Sequence, residues 1–216
     1  MLGQTNPIMN HLRDNAAIYI FTAILFLTGI IFGAIMVNSM NYSQKQDLYF
    51  FLERFFNQII HGKFTNQIEL MKFSFLLHAK YLTLFFILGL TIIGLPIVWI
   101  LVFSKGIFLG FSVGFIVNQM GWNGFMLATI SIAPQNLLII PVYFIASSLS
   151  MIFSLRLIKQ LAAKRNARPI MEALGSYTVL FACLFLLSFA AAAIEAFIAN
   201  GAMESFIPTF HKKSSS

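Results

Sequence analysis

The chain has 216 residues, of which 59 % are hydrophobic and only 10 % charged, and its mean hydropathy is +0.84. A soluble domain carries roughly a quarter charged residues, so there is too little polar surface here to coat a water-soluble particle, and the length leaves no room for a separate catalytic domain. The net charge of +7 comes from 14 Lys+Arg against 7 Asp+Glu; the basic residues lie beside apolar runs without an aromatic-basic stripe, which points to membrane topology and anionic lipid and argues against nucleic acid as a partner.

The first apolar run, 16–37, has no charge and is long enough for the roughly 30 Å hydrocarbon core. It is too long for the apolar region of a signal peptide, about 7–15 residues, so an uncleaved anchor is predicted. Residues 38–80 form the one sizeable non-spanning segment. Ser43 followed by Gln46 is a capping-box pattern, and Leu48, Phe51, Leu52, Phe55 and Ile59 recur at helical spacing, which predicts an amphipathic helix ending near Gly62. Asn66, with Glu69 three residues on, is placed to cap a second helix that leads into the next span.

That span is read as 81–104, bounded by Lys80 and Lys105 and kinked at Pro96. From Gly106 to Leu155 no formal charge occurs, yet fifty helical residues would measure about 75 Å, too much for one crossing. Two polar breaks, Asn118–Gly124 and Pro134–Asn136, divide the stretch into a short span at 106–120 and a return at 125–155, broken near 134–141, with Trp122 at an interface. The last span is 173–194. The expectation is an all-α, polytopic membrane protein of about five transmembrane helices, a single domain over 1–216, with an extracytoplasmic amphipathic segment at 38–80.

Arg156, Lys159, Lys164, Arg165 and Arg168 are the densest basic cluster, so that connection is expected in the cytoplasm. Counting back through the spans puts the N-terminus inside, 38–80 outside, Lys105 inside, Trp122 outside and the C-terminus outside.

Gly106, Gly110 and Gly114 recur every four residues and place a smooth stripe on one helix face, as do Gly29 and Gly33 in the first span. Packing within the chain is the ordinary use of such stripes; a homodimer interface is the sharper one. Asn118, Gln119, Asn123, Gln135 and Asn136 flank short helices and are candidates for a polar cavity, or else bond to water and headgroups at the interface. A proton or cation relay calls for Asp, Glu or His inside a span, and the spans as drawn hold none. His61 and His78, in the outer segment, read as solvated or headgroup-facing. Cys183, alone in an apolar run, reads as a packing residue with no disulfide partner. Nucleophile elbow, phosphate loop, paired acids and zinc motif are all missing, so neither a catalytic residue, a metal ligand nor a cofactor is assigned, and the chain is read as a non-enzyme.

The strings FGAIMVNSMNYSQKQDL (32–48), LGLTIIGLPIV (88–98), KGIFLGFSVGFIVNQMGWNG (105–124) and PQNLLIIP (134–141) resemble the stage II sporulation protein M family of endospore-forming bacteria. The likeness runs to about Arg168 and is strongest over Asn118–Gly124. It implies a component of the cell membrane on the mother-cell side of the sporulation septum. There it would act in engulfment as a scaffold that recruits two peptidoglycan-degrading enzymes, stage II sporulation proteins D and P. In that reading Phe51, Phe55, Ile59 and Trp122 are the candidate partner surface. The competing expectation is a permease-like subunit whose broken helices pass an uncharged or lipid-like substrate.

Overall fold

The computed structural model describes residues 7–60, 67–131, 133–163, 171 and 173–193, and every described element is a helix. Seven are seen: α1 (Pro7–Asp14), α2 (Ala16–Ser39), α3 (Tyr42–Ile60), α4 (Gln67–Gly89), α5 (Gly94–Ser131), α6 (Ala133–Ala163) and α7 (Ala173–Ala193). Five of them contain stretches long and apolar enough to cross a bilayer, namely Ala16–Ser39, Met71–Gly89, Gly94–Trp122, Asn136–Leu161 and Ala173–Ala193. The protein is therefore an all-α polytopic membrane protein. The expected number of spans is met, but three of the expected spans have other bounds.

The uninterrupted apolar run at 81–104 hides a tight turn. α4 stops at Gly89, the amides of Leu90 and Thr91 bond back to the carbonyls of Ile87 and Leu88, and α5 starts at Gly94. Pro96 thus stands in the first turn of α5, where a missing N–H costs nothing, and does not kink a continuous helix. The expected spans 81–104 and 106–120 are corrected accordingly: the first crossing is Met71–Gly89, and residues 94–105 are continuous with 106–120 in a single helix. Lys105 then lies within α5 and not in an inner loop. It follows Gly94 by eleven residues, roughly 16 Å along the axis.

α5 bends sharply at Gly121, whose φ of 57° and ψ of −133° are open to glycine and strained for any L side chain. The return also differs from expectation. The helix boundary falls before Pro134, and Pro141 is carried inside α6, so there is no break over 134–141. In a membrane bundle, neighbouring helices and hydroxyl side chains can take up the backbone groups that such a proline frees.

α6 is the central helix, with about two-thirds of its span buried. Along it Ser147, Ser148, Ser150 and Ser154 are all buried, and small hydroxyl residues of this kind let neighbouring helices come close and hold them by hydrogen bonds. Ser150 Oγ donates to the Phe85 carbonyl at 2.7 Å, Ser154 Oγ to the Thr91 carbonyl at 2.9 Å, and Ser148 Oγ to Thr22 Oγ1 at 3.3 Å. These bonds run in register, so α4 and α6 are parallel. Tyr177 of α7 stacks on Phe86 and Phe153 with ring centroids 5.2 Å and 4.5 Å apart, while Phe189 meets Phe75, which sets α7 antiparallel to α4.

The bundle has two unlike ends. At one lie α1 with Arg13, the α4–α5 turn, and the Arg156 and Lys159 end of α6. At the other lie α3, the start of α4, and the Gly121 bend.

Candidate functional site

The two glycine stripes face each other. A Cβ at Gly29 would meet the Phe103 carbonyl and lie 3.1 Å from Gly106 Cα; one at Gly33 would strike the Ile107 carbonyl; one at Gly110 would strike the Ile30 carbonyl. Gly114 is looser, 3.2 Å from Ala34 Cα. α2 and α5 therefore run parallel with backbones in near contact, and Phe21–Trp99 and Phe32–Phe103 ring pairs, 5.3 Å and 6.0 Å between centroids, close the flanks. The stripe is filled from within the chain, so it is not free to serve as a face for a second copy.

Of the residues expected at a polar cavity, three have described side chains. Asn118 and Gln119 are exposed near the end of the long arm of α5, and Asn136 is half-buried in the first turns of α6; the side chains of Asn123 and Gln135 lie outside the described ones. On the proposed partner surface, Phe51 is 68 % exposed on α3, and Trp122 is 74 % exposed beyond the bend, stacked on Phe125 at 5.4 Å. Phe55 and Ile59 belong to the same helix, with side chains outside the described ones. His61, the basic residues 164–168, Glu195 and the C-terminal tail also lie outside the described residues. Cys183 is exposed on the outer face of α7, contrary to the expected packing role.

A different polar cluster lies in the middle of the bundle. His78, expected to be solvated, is 6 % exposed, because α4 begins its crossing ten residues earlier than the hydropathy of 81–104 suggests. Its Nδ1 is 2.8 Å from Tyr143 Oη on α6, and its Nε2 is 3.4 Å from Ser74 Oγ one turn back. With the Tyr143 hydroxyl donating to Nδ1, the Nε2–H is left to face Ser74 (a tautomer assigned from the network). The Lys105 ammonium lies over the Tyr143 and Tyr81 rings, 5.0 Å and 5.5 Å from their centroids, where the ring faces attract a cation.

His78 precedes Gly89 by eleven residues, as Lys105 follows Gly94 by eleven, so both stand about 16 Å from the turn that joins their helices. That depth is near the middle of a 30 Å core. Beside them is a cavity lined by Thr22, Tyr81, Lys105, Tyr143 and Ser147 among others, with room for about one water molecule. The arrangement can hold a proton on an imidazole between two hydroxyls with a cation close by. The described residues hold no group of three His, Cys, Asp or Glu suited to a metal.

The span interior is thus not free of charge, as the sequence reading had it. Sequence carried a signal for this: Ser74, His78, Tyr81 and Phe85 recur at helical spacing, and the two glycines followed by Pro96 mark the turn that puts His78 inside.

Compared with known proteins, residues 22–200 match the family model described as Stage II sporulation protein M, and the chain belongs to that family. No curated protein and no solved structure matches it.

Proposed function

We propose, from the chain's membership of the stage II sporulation protein M family, that it is a membrane scaffold for peptidoglycan remodelling during engulfment of the forespore. It stands in the mother-cell membrane at the septum and holds wall hydrolases there, with stage II sporulation proteins D and P as its partners. Arg13, Arg156 and Lys159 share one end of the bundle, which favours that end as cytoplasmic and turns α3 and Trp122 toward the wall.

The observation that carries the reading is α3. This nineteen-residue helix leaves the bundle at the end opposite Arg156 and Lys159 and exposes Tyr42, Phe50 and Phe51, a concentration of aromatic surface suited to an apolar contact. The tightly packed centre, with space for a single water, also suits a scaffold better than a conduit. Replacing Phe51, Phe55 and Ile59 by Ser is expected to release the hydrolases while membrane insertion is kept. Undiminished co-purification would remove α3 from the contact, and a topology reporter placed at 164–168 that reads as outside would overturn the orientation.

The His78–Tyr143–Lys105 cluster is the observation that favours a permease-like reading, since ionisable groups inside a membrane often mark a path. Under the scaffold reading, variants of Asn118, Gln119, Gln135 and Asn136 keep the hydrolases at the septum; under the other, engulfment stalls with the complex intact.

A further inference from the structure

The midpoint of the first α4 crossing carries a lysine that points away from the bundle. The crossing is Met71–Gly89, and Lys80 is nine residues from each end, roughly 14 Å either way. The side chain is exposed, and on its face of α4 stand Phe73, Leu76, Leu77, Leu84 and Ile87, all exposed and apolar. Such a face meets lipid tails. An extended lysine stem reaches roughly 6 Å, so it does not bring the ammonium to either headgroup layer from that depth. A charge at mid-bilayer is costly, and membrane proteins almost always set such groups against a partner or a wet cavity.

Lys80 forms no ion pair among the described residues. A second copy of this chain, inserted in the same direction, would bring its own residues of equal depth, and none of the five spans contains an Asp or a Glu. Among the described spans nothing complements it, which points to a different chain. We propose that the Lys80 face of α4 is a docking surface for a transmembrane helix of another membrane protein that carries an aspartate or glutamate at mid-bilayer depth. This rests on the scaffold reading in that it supplies a contact for a membrane-anchored client inside the bilayer, separate from the aromatic surface of α3.

The test places a photo-crosslinking amino acid at Leu84, one turn from Lys80 on the same face, in the full-length protein made in sporulating cells. The expected product is an adduct to a membrane-spanning segment of another protein that contains an acidic residue. Its yield should fall at least ten-fold in Lys80→Leu, hold in Lys80→Arg, and return in Lys80→Asp when the partner's acid is changed to Lys. Lys80→Leu makes the span more apolar, so insertion is not at risk. Adducts to lipid alone, an adduct to a second copy, or a yield unchanged in Lys80→Leu would each overturn the proposal. Septal localisation of fluorescent hydrolases in the same cells separates the two ideas: a Lys80-dependent adduct with hydrolases localised independently of the protein keeps the contact and removes the scaffold. Protein-dependent localisation with no adduct does the reverse.

Discussion

Replacing Gly110 by Ala adds one methyl group and tests whether the glycine stripe is an internal seam. The new carbon would fall against the Ile30 carbonyl oxygen and 2.8 Å from Ile30 Cα, both backbone atoms that cannot rotate aside. To restore ordinary carbon contact at about 3.5–4.0 Å, α2 and α5 must part by roughly 1 Å. A gap of that size forfeits a quarter to a half of each contact, worth about 0.1–0.2 kcal/mol apiece, and a close helix pair holds some tens of them. The loss is then about 1–3 kcal/mol, the usual range for overpacking, and corresponds to a factor of about 5–150 in the folded-to-unfolded ratio. Gly114→Ala is the internal control. Its methyl would stand 3.2 Å and 3.5 Å from Ala34 Cα and Cβ, so a shift of a few tenths of an ångström suffices and the cost is about 0.5 kcal/mol or less. Unfolding in mixed detergent micelles can be followed by Trp99 fluorescence in a Trp122→Phe background, because Trp99 meets Phe21 across this same seam at 5.3 Å. Equal effects of the two substitutions would refute the reasoning, and so would an unchanged unfolding curve accompanied by loss of a dimer.

Gly121→Ala has open space around it but must hold φ at +57°, so a loss of about 1–2 kcal/mol is expected in the same unfolding assay, whereas Gly175→Ala, also in open space but in a helix at ordinary φ, should gain about 0.5–1 kcal/mol. Tyr143→Phe removes the hydroxyl that meets His78 Nδ1 and should cost about 1–3 kcal/mol; a double-mutant cycle with His78→Phe should show coupling above about 0.5 kcal/mol, and simple additivity would separate the two groups. Tyr177→Phe loses the hydroxyl donated to the Phe86 carbonyl at 3.0 Å but keeps the stack on Phe86 and Phe153, so it should cost about 0.5–1.5 kcal/mol, well short of Tyr177→Ala.

Hydropathy alone announces how many helices cross, because a bilayer demands long apolar segments whatever their packing. It does not announce where one crossing ends if the turn is itself apolar. Leu90–Ile93 has three aliphatic residues in four, so the run from 81 to 104 reads as unbroken, and only Gly89, Gly94 and Pro96 betray the turn. The error then spread. Starting the crossing at 81 left His78 and Lys80 outside and made Lys105 a loop residue, which emptied the interior of its ionisable groups. The glycine stripes were legible as close-packing faces from spacing, but their partner was not, since one face fits a second copy as well as a neighbouring helix. The His78–Tyr143 bond joins residues 65 positions apart, and no pattern within either helix names the other.

The placement of hydroxyls along α6 bears on what such a bundle can do. Between helices in lipid there is no water to expel, so close van der Waals fit and interhelical hydrogen bonds hold the register. Here the two devices are divided by position. Glycines serve the α2–α5 seam, where backbones touch, and serines serve α6, where Ser148, Ser150 and Ser154 reach α2, α4 and the α4–α5 turn in succession. Each hydroxyl bond is worth little, about 0.6 kcal/mol on average in membranes, yet together they favour one register because sliding a helix by a residue breaks all of its interhelical bonds at once. Tyr177, bonded to the carbonyls of Phe85 and Phe86, extends the same device to α7. α4 is therefore held by two helices at one point, α6 through Ser150 and α7 through Tyr177, whose hydroxyls converge on the Phe85 carbonyl, which fixes the direction in which its outer face presents Lys80. A rigid α4 displays that ammonium at one depth and one azimuth. That is the condition under which a single intramembrane charge can select a partner helix, because a mobile one would accept an acid over a wide range of registers.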